Sequence, residues 1–231
     1  MSHAAPPAAQ RASAAPGSVV PLGASHAHAA PLVLSAAFLD DPVLGRHLLR
    51  QDDFKASGAA LFFSHLLHAQ GFAAAGVSHV HEGAGGAVQG CALWQAPGAP
   101  QGLPLPAMLR MLLIAPSVFG FSGVLRALRT GAAVDAAHPH TRHYYLAFLG
   151  VLPSAQGLGI GAALLQPVLT RADAEGVPCY LENSNAANLP FYARAGFRVV
   201  REVVVGSSAL GEPVKVYCMQ REPSSAAGAA Q

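Results

Sequence analysis

The chain has 231 residues, 52% of them hydrophobic and 11% charged. That apolar content excludes a chain disordered throughout, and the length suits one large domain or two small ones. Lys and Arg number 14 against 12 for Asp and Glu, a net charge of +2 with no basic cluster, which excludes the electrostatic footprint of a nucleic-acid binder. Cys91, Cys179 and Cys218 form no Cys-x-x-Cys pair and are odd in number, so buried thiols in a reducing cytoplasm are expected.

Residues 1–30 are Ala, Pro, Ser and His with few large apolar side chains, and read as a disordered tail. They lack the basic and apolar regions of a signal peptide. Ser35–Leu49 and Lys55–Gln70 read as helices, then Gly71–His81 and Ala87–Trp94 as strands around a Gly-rich turn. Met111–Leu125 carries no charge, but Pro116, Gly120 and Gly123 interrupt it and it is short of the ~20 apolar residues of a membrane span. It reads as a buried or cleft-lining helical pair, either the wall of a pocket or plain core. A polar link, Asp135–Arg142, follows. Tyr144–Val151 is a strand rich in aromatic and branched residues, and Ile160–Glu175 a helix stopped by Gly176. Val177–Asn183 is a strand, Ala186–Ala195 a helix, and Phe197–Val205 and Val214–Met219 are strands. Glu222–Gln231 reads as a second disordered tail. This order predicts a single mixed α/β domain over residues 31–221.

Chemistry concentrates in Gln156-Gly157-Leu158-Gly159-Ile160-Gly161-Ala162, between a strand and a helix. Alternating glycines let the backbone turn without a blocking Cβ, so successive N–H groups point into one concavity. The next helix adds its unpaired amides and the positive end of its dipole. The result is a cradle for a pyrophosphate. Gly157, Gly159 and Ala162 also spell a dinucleotide fingerprint, with Glu182 about where a ribose-binding acid would stand. Against a dehydrogenase, Leu152–Gln156 separate the strand from the first glycine, and too little chain follows for further strand-helix units.

The wider stretch favours another family. Val151-Leu152-Pro153 before Gln156-Gly157-Leu158-Gly159-Ile160-Gly161, with Asn185, Tyr192 and Gly196-Phe197 downstream, resembles the two signatures of the GNAT superfamily of N-acetyltransferases. His143-Tyr144-Tyr145-Leu146, Gly176-Val177-Pro178, Leu181-Glu182, Asn188-Leu189-Pro190-Phe191-Tyr192, Asp41-Pro42 and Cys218-Met219 are similar to the puromycin N-acetyltransferase group within it. The likeness covers about residues 32–221 and is thin between Gly98 and Ala137, where acceptor specificity would be expected to lie. It implies a GNAT-like fold: a central mixed, mostly antiparallel sheet flanked by helices, with a parallel strand pair that splays apart. It implies acetyl transfer from acetyl-coenzyme A directly to a primary amine of a small molecule. The alternatives are a peptide or protein amine as acceptor, or a non-catalytic acyl-coenzyme A sensor. A monomer or homodimer without nucleic-acid or membrane partners is expected.

Carried over by resemblance, Leu149 and Val151 would bond the pantetheine arm through the backbone, with Gly150 allowing close approach. Gln156, Gly157, Leu158, Gly159, Ile160, Gly161 and Ala162 would hold the pyrophosphate. Leu158 stands where the family often has a basic residue, which removes a charge but leaves the amides. Tyr192 matches the proton donor; a phenol of ordinary pKa near ~10 is protonated at neutral pH. Asn185 or Asn188 would hold the pantetheine amide while the other caps a helix. Strand alternation puts Tyr180, Glu182 and Ser184 on one face. Glu182 could take the amine's proton, hold an ammonium, or serve only in a salt bridge or cap. His79 with His81, His65 with His68, and His138, His140 and His143 are close in sequence, but no pattern completes three or four converging ligands, so no metal is expected. His143 could line the acceptor pocket.

Overall fold

The computed structural model describes residues 17–49, 51–53, 55–69, 71–73, 75–100, 102–206 and 213–224. Among these, seven strands form one sheet in the order β1-β2-β3-β4-β5-β7-β6. They are β1 (Ser18–Pro21), β2 (His79–Glu82), β3 (Val88–Gln95), β4 (Tyr144–Val151), β5 (Cys179–Asn183), β6 (Arg198–Val205) and β7 (Val214–Arg221). Every pairing is antiparallel except β4 with β5. The helices are α1 (Ala29–Phe38), α2 (Lys55–Ala69), α3 (Leu105–Asp135), α4 (Ile160–Glu175) and α5 (Leu189–Arg194).

The sheet separates two apolar cores. On one face α4 and α5 bury Leu164, Leu165, Val168 and Phe197 against Trp94, Leu146 and Leu181. On the other, α1, α2 and α3 bury Leu34, Phe63 and Val118 against Leu93, with Phe38, Phe63 and Phe148 meeting at centroid distances of 5.2–5.6 Å. Gly150 is where α1 comes down on β4: a Cβ there would stand 2.9 Å from Ala37 Cβ and 3.0 Å from Leu34 Cδ2. The end of α4 is pinned to β7 by Arg221, which donates from both terminal nitrogens to Asp173 at 2.7 Å and from Nε to Ala195 O at 3.1 Å.

Several expectations need correction. Residues 17–30 are not tail: Val19 and Val20 pair with His81 and Val80, and Ala30 and Pro31 are buried at the start of α1. Small and β-branched residues suffice there because the sheet edge and α2 supply the apolar partners. Residues 1–16 and 225–231 lie outside the described residues. Ser35–Leu49 is not one helix, because Asp41-Pro42 starts a separate π-helical turn, Pro42–Leu48. The first hairpin strand is only His79–Glu82.

The Met111–Leu125 stretch belongs to the longer α3, broken at Gly120 (φ 67°, ψ 167°). By length and composition α3 could cross a membrane. It packs one stripe, including Ala115, Val118, Phe119 and Gly123, and leaves Leu113 82% and Phe121 89% exposed. Plain core is therefore half of the answer, and the rest of the stretch faces outward.

Candidate active site

The parallel pair is short. Tyr144, Tyr145 and Leu146 pair with Cys179, Tyr180 and Leu181, and the ladder then stops although β4 runs on to Val151. The register of β4 against β3 shifts between Leu93/Phe148 and Trp94/Leu146, which leaves Ala147 as an extra residue. A bulge bends and twists its strand, and this one sits where β4 leaves β5. Beyond it, Leu152 N–H donates to Gln89 O at 2.9 Å. By alternation Gly150 also turns its backbone groups to β3, while those of Leu149 and Val151 face the gap. Gln156 Nε2 donates to Val151 O at 3.1 Å and so ties the glycine loop to the strand end.

The gap opens into a cleft of about 880 Å³ that reaches both faces of the sheet. From the α4 side come Leu149, Gly150, Val151, Gln156, Gly157, Gly159, Ile160, Gly161 and Ala162; from the α5 side come Asn185, Asn188, Phe191 and Tyr192. From the α1 side come Ala37, Phe38, Asp40 and Asp41. Gly157 (φ 77°) and Gly159 (φ 82°) adopt the left-handed conformation that lets the loop turn into α4. The first N–H of this segment to bond back is that of Ala163, to Gly159 O at 3.0 Å. The preceding amides are the free donors of a helix N-terminus, whose first turn carries no acidic side chain to compete for them.

Tyr192 is 9% exposed and packs edge-on to Phe191 and Phe197. Burial first, and the charge of Asp41 second, push its phenol well above the ordinary value. It stays protonated as a donor must. Asn185 accepts the Ala187 N–H at 3.0 Å and is the cap of the turn before α5. Asn188 makes no side-chain cap bond and faces the cleft. The capping role thus falls to Asn185, and Asn188 keeps a free amide.

Two expected site residues do not line the cleft. The Leu158 side chain packs against the α4-side core, as an apolar group in a solvent-facing loop will. Glu182 faces away from Leu181 and Asn183, and its Oε1 lies 3.0 Å from His138 Nδ1, so its partner is the polar link after α3. The expected role of Gly150 is also revised: its missing Cβ admits α1, and only its backbone meets the cleft.

Asp41 was not placed at the site by its sequence pattern. One carboxylate oxygen accepts Val43 N–H and Leu44 N–H at 3.0 and 2.8 Å, and the other accepts the Ser184 hydroxyl. Asp-Pro is a legible helix-start signal, but its meeting with β5 is a tertiary fact. Among the described residues no group of His, Cys, Asp and Glu is arranged to hold a metal.

A sheet split at one parallel pair, with a glycine loop and helix N-terminus at the split, defines the GNAT fold of acetyltransferases. Residues 121–197 match the Acetyltransferase (GNAT) family profile. An uncharacterised N-acetyltransferase of Schizosaccharomyces pombe is 33% identical over 88 residues, 38% of this chain. The match spans only 35% of the length of that yeast protein. A Corynebacterium glutamicum structure described as histone acetyltransferase HPA2 and related acetyltransferase superposes with a TM-score of 0.63 at 26% identity, covering 90% of this chain and 97% of its own. The polyamine N-acetyltransferase of Drosophila melanogaster, which forms N-acetylagmatine, superposes at 0.58 with 13% identity, covering 89% and 99%. All of these likenesses are to acetyltransferases, and the profile match falls on the glycine loop, α4, β5 and α5.

Proposed function

We propose that the protein moves an acetyl group from acetyl-coenzyme A directly to a primary amine of a small molecule. The observation that carries this reading is the cleft through the sheet gap, which offers unpaired strand groups, a helix N-terminus and a buried phenol in one continuous space. The backbone of Leu149 and Val151 would take the pantetheine arm as an added strand. The amides from Gly157 to Ala162 would take the pyrophosphate, as helix N-termini do for anions. Asn188 would hold a pantetheine amide.

The acceptor would enter from the α1 side, where Asp40 and Asp41 favour a cationic group. Its neutral nitrogen attacks the acetyl carbonyl, the carbon–sulfur bond breaks, and Tyr192 gives the departing sulfur its proton. The resemblance to the puromycin N-acetyltransferase group, and the named substrate of the Drosophila protein, support a small amine. Three buried free thiols support a reducing, cytoplasmic setting.

The test is release of free thiol from acetyl-coenzyme A across aminonucleosides, polyamines, arylalkylamines and short peptides. Peptides belong in the panel because of the Corynebacterium likeness. Release that depends on a small amine and collapses in Tyr192→Phe, with coenzyme A affinity kept, is the expected result. Release with peptides alone would move the acceptor class. No release with any amine, and coenzyme A still bound, would leave a sensor.

A further inference from the structure

Helix α3 turns apolar side chains outward along both of its limbs. In the first limb Leu105, Leu109, Leu112 and Leu113 recur at helical spacing; beyond Gly120, Phe121, Leu125 and Leu128 do the same, and all seven are between 45% and 89% exposed. Positions two apart on a helix are about 200° apart around its axis. Leu113 thus stands opposite the buried Ala115, Phe121 opposite Gly123, and Leu128 opposite Thr130. The buried side is fixed in place. A Cβ at Gly58 of α2 would stand 3.2 Å from Val118 O, and one at Gly123 would stand 2.8 Å from Leu48 O, so α2 and the π-helical turn press directly on the α3 backbone. Arg126 Nε donates to His47 O at 2.7 Å. Held this way, α3 cannot rotate its leucines into the core.

Exposed apolar faces of this extent mark contacts with proteins or membranes, and the charge pattern chooses between them. Arg110 and Arg129 are exposed on α3, Arg126 is half-buried, and no Asp or Glu occurs between Glu82 and Asp135. No salt bridge among the described residues uses these arginines. A second copy seated on this face would bring like charges together. An antiparallel pairing about Gly120 sets Arg110 against Arg129, and a parallel one sets each arginine against its own copy. The chain itself offers no cover either. The terminal and loop stretches outside the described residues, 1–16, 207–212 and 225–231, hold only Met1 and Leu210 as large apolar side chains. An anionic bilayer surface meets both demands, with acyl chains for the leucines and Phe121 and acidic headgroups for the arginines.

Although α3 is long and apolar enough to cross a membrane, a crossing would draw Val118 and Phe119 out of the core they share with Phe63 and leave the arginines without water. A helix with one stripe held by protein and the other apolar with basic flanks lies in the interface instead. The expectation of no membrane partner measured this stretch as a span and not as a surface.

We propose that the outward face of α3 docks this protein on an anionic bilayer surface, its leucines and Phe121 entering the acyl boundary and its arginines resting among the headgroups. Docking needs neither acetyl-coenzyme A nor turnover, so it stands apart from the acetyl-transfer reading. Its consequence for the cleft is one of position. The π-helical turn on which α3 rests begins at Pro42, next to Asp40 and Asp41 of the cleft lining. The acceptor side of the cleft is therefore one short element away from the docked face.

The test is co-sedimentation of the full chain with vesicles of phosphatidylcholine alone and of equal parts phosphatidylcholine and phosphatidylserine. Binding to the mixed vesicles is expected, weaker to phosphatidylcholine alone and weaker as salt is raised. Leu113→Gln combined with Phe121→Gln should weaken it on the order of tenfold or more, and Arg110→Gln and Arg129→Gln by about fivefold each. The thermal midpoint and coenzyme A affinity should hold in all of these variants, because the four side chains are exposed and none lines the cleft. No binding to either vesicle, or binding that the Leu113→Gln, Phe121→Gln pair does not weaken, would overturn the proposal. Sedimentation velocity reads the rival occupant: a dimer that the same pair dissolves, in a protein that leaves vesicles alone, would give the face to a second copy and overturn the proposal as well.

Discussion

Tyr192 and Gly159 differ in the cleft: the proposed function asks chemistry of the first, and the turn asks conformation of the second. Removing the Tyr192 hydroxyl leaves the ring packing on Phe191 and Phe197 in place. Turnover of Tyr192→Phe should therefore fall on the order of 10²-fold or more while the thermal midpoint holds; a purely packing role would leave turnover intact. Gly159 has open space where a Cβ would stand, but its φ is 82°. Gly159→Ala should cost roughly 1–2 kcal/mol in strain, read as weaker coenzyme A binding in calorimetry. Gly150 is the reverse case, with ordinary backbone and no room. Gly150→Ala should destabilise by about 1–3 kcal/mol, and Ala37→Gly in the same chain should recover much of it, because Ala37 Cβ is the atom met at 2.9 Å.

Among the elements, α4 is held at both ends by different physics, amides and loop at its start and the Arg221–Asp173 pair at its finish. Arg221 holds the Asp173 carboxyl below its ordinary 3.8. A carboxyl depressed by folding contributes stability above its unfolded value, and that stability is lost as pH falls through the folded value. Asp173→Asn should thus lower the thermal midpoint near neutrality, and the gap to wild type should narrow as pH falls below 3.8. β4 and α4 were legible in the sequence, to their ends, because an aromatic and branched run and a terminal glycine are local signals. β1 was not, since four small or apolar residues become a strand only by pairing with β2, some 60 residues away in the chain. The same limit applies within the site. The glycine loop is readable from spacing and Tyr192 from the family resemblance, whereas the meeting of Glu182 with His138, or of Asp41 with Ser184, depends on how distant segments close.

At the scale of the whole molecule, the sheet is two ribbons rather than one. β1 to β4 form the first and β5, β7 and β6 the second, and only three residue pairs of β4 and β5 join them within the sheet. A thin seam of this kind is a fold line, where the two ribbons can breathe separately even while each stays intact. A molecule lying along the gap would act as a splint, replacing the rungs that the strands do not form with each other. Saturating coenzyme A should therefore slow amide exchange on both sides of the seam, in β5 and β7 as well as in β4, and raise the thermal midpoint in proportion to the logarithm of its concentration. Protection confined to the glycine loop would mean that the ribbons are already locked by the helices that straddle them.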